Sequence, residues 1–380
     1  MREFGPKQGA VQAMTAIPSP QARHILSFAQ SLDGGGVERA LLRMAGGWAG
    51  RGRRVTLLIG DASGPLAGEV PPSVETVELG DARYTALLAI AERVRAAAPD
   101  LIFCPGNHYS AIAAMLRLRL GRKCPPIVGK LSNALVRGDQ PAPVAWGYRR
   151  WLKLHPRFLD ALVAMTPGMA REAEAAMAMP HDRIAVIANP PPTALSDAAP
   201  IALPQGRFVL GVGRLARQKR WDRALAAFAL LPDRDLSLLI AGEGDARGAL
   251  EAQARTLGIA DRVTLPGYVA DPLPAMRAAA LVLLTSDFEG VPGVLREAIA
   301  LGTPVVATDA SVAVREIVGP DQGSVVARED AAGLVAAIGE WLERPRPEVP
   351  VGREEDSIDA YLALFDEVIS GPAFRFQLPD

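Results

Sequence analysis

The chain has 380 residues, 49% of them hydrophobic, with 41 Lys and Arg against 42 Asp and Glu, a net charge of −1. That length exceeds one ordinary core and points to two domains. No run nears the roughly 20 apolar residues of a membrane span, nothing marks a nucleic-acid partner, and two cysteines, Cys104 and Cys124, can neither staple a disulfide framework nor form a metal-ligand spacing. A cytoplasmic protein fits. The charge is unevenly spread: residues 1–190 carry 23 basic against 15 acidic groups and residues 191–380 carry 18 against 27.

In chain order, residues 1–23 have no apolar stretch of the signal-peptide kind and read as a flexible tail. A strand at 24–28 leads into a glycine loop with Gly35 and Gly36, then a helix at 37–48 with Val37, Leu41, Met44 and Ala45 on one face. Strand, glycine loop and helix together let backbone amides approach a phosphate, though the same pattern serves a plain tight turn. Strands at 54–59 and 74–79 and a helix at 86–97 follow. The strand at 100–104 ends beside His108, which on the ligand side of an open α/β sheet is a catalytic candidate; a lone loop histidine is more often a surface group. Residues 127–133 read as the next strand and its exit.

The helix predicted at 146–154 puts Trp146, Arg149, Arg150 and Lys153 on one face and Tyr148, Trp151, Leu152 and Leu154 on the other. It can lie on an anionic membrane surface or serve as an ordinary core-facing helix with a solvated basic side. A strand at 159–165, a helix at 169–177 and a strand at 184–187 close the first unit, and the Pro-, Ala- and Ser-rich residues 191–206 form a linker. The βα alternation then restarts with strands at 208–212, 237–241 and 263–265 and helices at 221–231 and 245–257. The first of these strands exits into Gly213, Arg214, Arg217, Lys219 and Arg220, the second into Gly242 and Gly244, the third into Tyr268 and Val269. Arg217 and Arg220 read as solvent-facing helix-start residues.

A strand at 279–284 is followed by a turn containing Gly290, Pro292 and Gly293, a helix from Val294 to Gly302, and a strand at 304–307. Glu289 and Glu297 bracket that turn, one on the loop and one a turn into the helix, so both can face one crevice. The helix start offers free N–H groups to an anionic ligand. The stretch Ser286-Asp287-Phe288-Glu289-Gly290-Val291-Pro292-Gly293-Val294-Leu295-Arg296-Glu297-Ala298, closing on Gly302-Thr303-Pro304-Val305-Val306-Ala307, resembles the Glu-x7-Glu signature of the family 4 retaining glycosyltransferases. The resemblance covers most of residues 24–370 and is sharper in the second half.

It implies an α/β fold of the GT-B kind, two doubly wound Rossmann-like domains facing across a cleft. The acceptor-side domain would span 24–190, completed by a returning helix at 355–370, and the donor-binding domain 207–354. Arg214 and Lys219 would hold the nucleotide diphosphate, a role that suits two fixed cations where charge grows on the leaving phosphate. Gly35 and Gly36 would lie beside the diphosphate and sugar, with Gly213, Gly242, Gly244, Gly290, Gly293 and Val294 lining the donor site. Tyr268 and Val269 would read the base, Glu297 the ribose, and Glu289 would work near the sugar. Many family members have a histidine at the exit of the strand at 127–133; here Ser132 or Asn133 stands there.

The expected partners are a nucleotide-sugar donor, a UDP-sugar in the first place, and a glycan or lipid-linked acceptor presented at the inner face of the cell membrane. No cofactor or divalent metal is expected. The Asp233-Arg234-Asp235 triplet is the metal motif of a different fold and precedes a strand, away from the crevice. A nucleotide-sugar epimerase of the same architecture and a non-catalytic nucleotide-sugar binder are the alternatives.

Overall fold

The computed structural model describes residues 21–33, 35–135, 141–190, 201–349 and 357–371. Most of the expected tail, residues 191–200 of the linker, Gly34 of the glycine loop and residues 355–356 lie outside them. The first domain runs β1 (His24–Ser31), α1 (Gly36–Gly50), β2 (Arg54–Asp61), β3 (Glu75–Glu78), α2 (Ala91–Ala97), β4 (Leu101–Cys104), α3 (Ser110–Leu120), β5 (Ile127–Lys130), α4 (Ala142–Leu152), β6 (Ala161–Ala164), α5 (Pro167–Met177) and β7 (Ile184–Val186). The second runs β8 (Phe208–Val212), α6 (Trp221–Ala229), β9 (Ser237–Ala241), α7 (Arg247–Thr256), β10 (Val263–Gly267), α8 (Leu273–Ala278), β11 (Leu281–Leu284), α9 (Gly293–Ala300), β12 (Val305–Thr308), α10 (Val312–Ile317), β13 (Gly323–Val326) and α11 (Ala331–Glu343). A last helix, α12 (Ser357–Ile369), follows.

Both sheets are parallel in every described pairing, ordered β3-β2-β1-β4-β5-β6-β7 and β10-β9-β8-β11-β12-β13. Their inner strands are apolar, with β4, β6, β11 and β12 buried at every position, as sheets covered on both faces require, while the edge strands β3 and β10 are largely exposed or half-buried. In each sheet the chain runs outward from the first strand, then returns to continue on its other side. The switch points therefore lie between β1 and β4 and between β8 and β11, where open α/β sheets bind ligands. All four principal motifs leave the carboxyl ends of these four strands.

The helix α12 packs on the first domain. Phe365 and Tyr361 wedge against Trp48 of α1 and Phe103 of β4, with ring centroids 5.1 Å apart for Trp48–Phe365 and 5.7 Å for Phe103–Tyr361. Burying each such ring stabilises by about 2–3 kcal/mol, which holds the chain's end against its beginning.

The expected helix at 86–97 is two pieces, a tight turn Tyr84–Ala89 and then α2. Tyr84 stacks on Tyr109 and donates to the His108 carbonyl at 2.8 Å, which pins this segment against the β4 exit. The helix α4 begins four residues before the expected start because Pro143 sits in its first turn, where the missing N–H costs nothing. The elements α3, α8, α10, β13 and α11 have no counterpart in the sequence reading.

Candidate active site between the two switch points

At the β11 exit, Glu289 is 8% exposed. Lys219 Nζ, from the tight turn Arg217–Lys219 after β8, lies 2.6 Å from its Oε1, and Ser286 Oγ donates to the same oxygen at 2.6 Å. The loop is held by backbone bonds Glu289 N to Ala310 O and Asp287 N to Gln218 O. Arg214 is exposed at the same strand exit, while its carbonyl accepts from Trp221 Nε1 at 2.9 Å. The arrangement presents one exposed cation and one cation paired to a buried carboxylate.

Arg220 corrects the sequence reading. It is locked between Asp222 at 3.0 Å and Asp287 at 3.2 Å, which raise its pKa. Arg223 joins it, donating to Asp287 and to the Thr285 carbonyl. These two arginines fix the loop that carries Glu289. Arg217 is exposed, as expected.

The glycines of the second domain mark close backbone approach. Gly213 has φ 152°, and a side chain on Gly242 would overlap its carbonyl. The β8 and β9 exits can touch because residue 242 is glycine, while the backbone conformation of Gly213 itself favours glycine; Gly244, at φ 154°, continues that contact against Leu215. Val269 packs into the core beside Tyr268, and Gly293 opens α9 with Val294 behind it.

One contact brings the first domain to this loop, and two more within the first domain shape the face it presents. A side chain on Gly290 would overlap the Ser132 carbonyl, so the β5 exit presses directly on the loop carrying Glu289. Asn107 Oδ1 accepts from Ser132 N, Ser132 Oγ and Asn133 N at 2.8–3.1 Å, holding that exit in place. Glu38, two residues past Gly36, accepts from Tyr109 Oη at 3.1 Å; burial raises its pKa, and the charge of Arg214 across the cleft opposes the rise. Neither Asn107 nor Glu38 was given a site role from sequence. The Gly-Gly-x-Glu pattern was the signal for Glu38, and Asn107 beside His108 had none.

His108 lies in the exposed turn after β4, its ring against Tyr109 at 3.7 Å between centroids, and desolvation lowers its pKa. Its ring makes no hydrogen bond among the described residues. Glu297 does not share a partner with Glu289: it faces Arg43 of α1 at 3.6 Å, and burial raises its pKa. Asp233–Asp235 precede β9, at the amino end of the sheet, with Asp235 N bonded to Asp233.

Two doubly wound parallel sheets with facing switch points define the GT-B architecture. Residues 35–190 match the family described as glycosyl transferase 4-like domain, and residues 198–354 match glycosyl transferases group 1. The one match falls on the first domain and the other on the second, so the two together cover both halves of the fold. A 2-deoxystreptamine glucosyltransferase of Streptomyces kanamyceticus is 36% identical over 162 residues, 40% of this chain and 42% of that protein. The lipopolysaccharide core biosynthesis mannosyltransferase LpcC of Rhizobium leguminosarum bv. viciae is 31% identical over 211 residues, 52% of this chain and 58% of that one. The matches span between 22% and 58% of the length of these and similar curated relatives. Anabaena HepE in complex with UDP-glucose shares the fold, with a TM-score of 0.67 at 20% identity over 91% of this chain and 98% of that one.

Proposed function

We propose that this chain is a retaining, metal-independent glycosyltransferase that moves a sugar from a nucleotide-diphospho-sugar to a hydroxyl of a lipid-linked or polysaccharide precursor of the cell envelope. The observation that carries the reading is the Lys219–Glu289 pair at the second domain's switch point, with Arg214 exposed beside it. A diphosphate entering there meets two cations. Drawing Lys219 onto the phosphate frees the Glu289 carboxylate to face the sugar. As the sugar–phosphate bond breaks, charge grows on the leaving phosphate, and positioned cations stabilise it at that moment.

Two basic side chains and the start of α9 take the part a divalent cation plays elsewhere, which supports metal independence. The retaining course follows from front-face substitution, in which the leaving phosphate accepts the acceptor's proton. The acceptor would enter over Ser132, Asn133 and His108. A UDP-sugar is the first donor to try, with UDP-glucose bound in the similarly folded Anabaena protein, and a mannosyl donor is the second, after the LpcC relative.

The outer face of the first domain supports an envelope acceptor. On and just past α4, Val144, Trp146 and Leu154 are exposed with Arg149, Arg150 and Lys153, while Trp151 turns inward and donates to Ser110 of α3 at 3.2 Å. At the far end of α3, Leu118, Arg119, Arg122 and Lys123 are exposed as well. Of the two faces expected for α4, Tyr148, Trp151 and Leu152 turn inward and Trp146, Arg149 and Arg150 are exposed; Leu154, expected on the inner face, lies past the helix and is exposed. No helix of the described residues is long and apolar enough to cross a membrane, so peripheral docking on anionic lipid is the mode proposed. A panel of nucleotide-sugars, scored for release of nucleotide and for protection against thermal unfolding, tests the assignment. Protection by no donor would remove it.

A further inference from the structure

We propose that the nucleoside half of the donor site is completed from the first domain: Arg39 and Arg43 of α1 position Tyr268 and Glu297 of the second, so that nucleotide affinity depends on the two domains meeting. The inference rests on the proposed function and deepens it.

A cavity of about 310 Å³ lies at this junction, lined among others by Arg39, Arg43, Glu69, Asp271, Pro272 and Glu297. That volume falls at the small end of the range for ligand pockets, roughly 300–1,000 Å³. Arg39 and Arg43 are four residues apart and share a helix face. Arg39 is anchored in its own domain by two bonds to Glu69, at 2.9 and 3.1 Å, and from there donates to Tyr268 Oη at 2.5 Å. Arg43 reaches Glu297 Oε1 at 3.6 Å, with both side chains largely shielded. The sequence resemblance gives Tyr268 to the base and Glu297 to the ribose. Both therefore take their orientation from a domain that was expected to serve the acceptor.

The consequence for Glu297 is electrostatic. Burial and the nearby Asp271 favour its protonated form, and Arg43 and Arg39 from α1 favour the carboxylate, with Glu69 facing Arg39 from behind. Only the ionised group accepts strongly from two ribose hydroxyls. Nucleotide affinity should fall on the acid side as Glu297 takes up its proton. Removing Arg43 raises that protonation point, so the fall moves to higher pH. A merely structural arginine would not shift the profile.

The test is calorimetric titration of the full chain with UDP and with GDP across about pH 5 to 8, for the wild type, Arg43→Gln, Arg43→Lys and Arg39→Gln. Thermal unfolding shows that each variant is folded. The expected result is roughly tenfold weaker nucleotide binding in Arg43→Gln, from losing the charge that favours the Glu297 carboxylate, with the acid limb displaced upward. Arg43→Lys should recover most of both effects. The donor KM should rise in Arg43→Gln while kcat at saturating donor changes little. Unchanged affinity and an unchanged pH profile in Arg43→Gln overturn this inference and leave the proposed function standing. A wild-type chain that binds neither nucleotide overturns both.

Discussion

Lys219 Nζ and Glu289 Oε1 are 2.6 Å apart across the two strand exits that flank the second domain's switch point, and Ser286 Oγ shares the same carboxylate oxygen. The lysine therefore has two uses. It compensates a buried carboxylate in the chain alone, and in the proposed function it meets the diphosphate leaving the sugar. Arg214 has the second use only.

Removing these cations should separate the two uses. Arg214→Ala should lose about 2–4 kcal/mol of transition-state stabilisation with little change in stability. Lys219→Ala should lose a similar amount and also unfold at lower temperature, because it strands Glu289. A double-mutant cycle with Glu289→Ala should return a coupling of about 1–3 kcal/mol in stability. Wild-type turnover in both single variants would contradict the assignment.

Gly290 is where the two domains touch beside the chemistry. Gly290→Ala should push the Ser132 carbonyl away and cost about 1–3 kcal/mol as an overpacking change. Activity should fall more than stability, since the acceptor-side loop moves off Glu289. Initial rates and thermal unfolding measured together check this, and a variant with full activity would show the contact to be dispensable.

Lys130 at the end of β5 is fully buried, and burial brings its pKa down to about 7. The unfolded chain holds its proton to a pH near 10.4. Between about 7 and 10.4 the unfolded state binds more protons, so this group makes stability rise with pH across that window and costs stability below it. Lys130→Met should gain stability near pH 6, on the order of a few kcal/mol, and the gain should shrink toward pH 10. Denaturant unfolding at several pH values reads the difference; a constant difference would rule out the titration.

Much of the site was legible because its residues sit where Gly, Pro and charge interrupt apolar strands. The segments 208–212 and 237–241 coincide with β8 and β9, and the helix expected at 355–370 contains α12, each being a clean apolar or amphipathic run. The helix α3 was not legible: Leu118 points to solvent while Arg117 is drawn inward to Asp160, which blurs the helical period. In α11 an alanine-rich stretch with Gly333 and Gly339 offers little polar face. Arg220 reads as a free basic residue because its lock needs two carboxylates at once, Asp222 nearby and Asp287, 67 positions away. The pairs Arg43–Glu297 and Ser132–Gly290 depend on how the domains meet, which no local pattern encodes.

The basic, aromatic face of α4 predicts binding to membranes. Co-sedimentation with liposomes should rise with anionic lipid and fall with salt. It should drop when Arg149, Arg150 and Lys153 are changed to Gln, each charge contributing roughly 1 kcal/mol. A protein that stays in solution in every lipid mixture would point to a soluble acceptor.

The central claim is transfer with retention at a metal-free site. Proton NMR of the reaction with an α-linked nucleotide-sugar in excess chelator follows donor, nucleotide and the new anomeric signal at once. The account predicts nucleotide release with an α-configured product, abolished by Lys219→Ala. A β-configured product, a sugar isomerised without transfer, or activity that returns only on adding magnesium or manganese would contradict it.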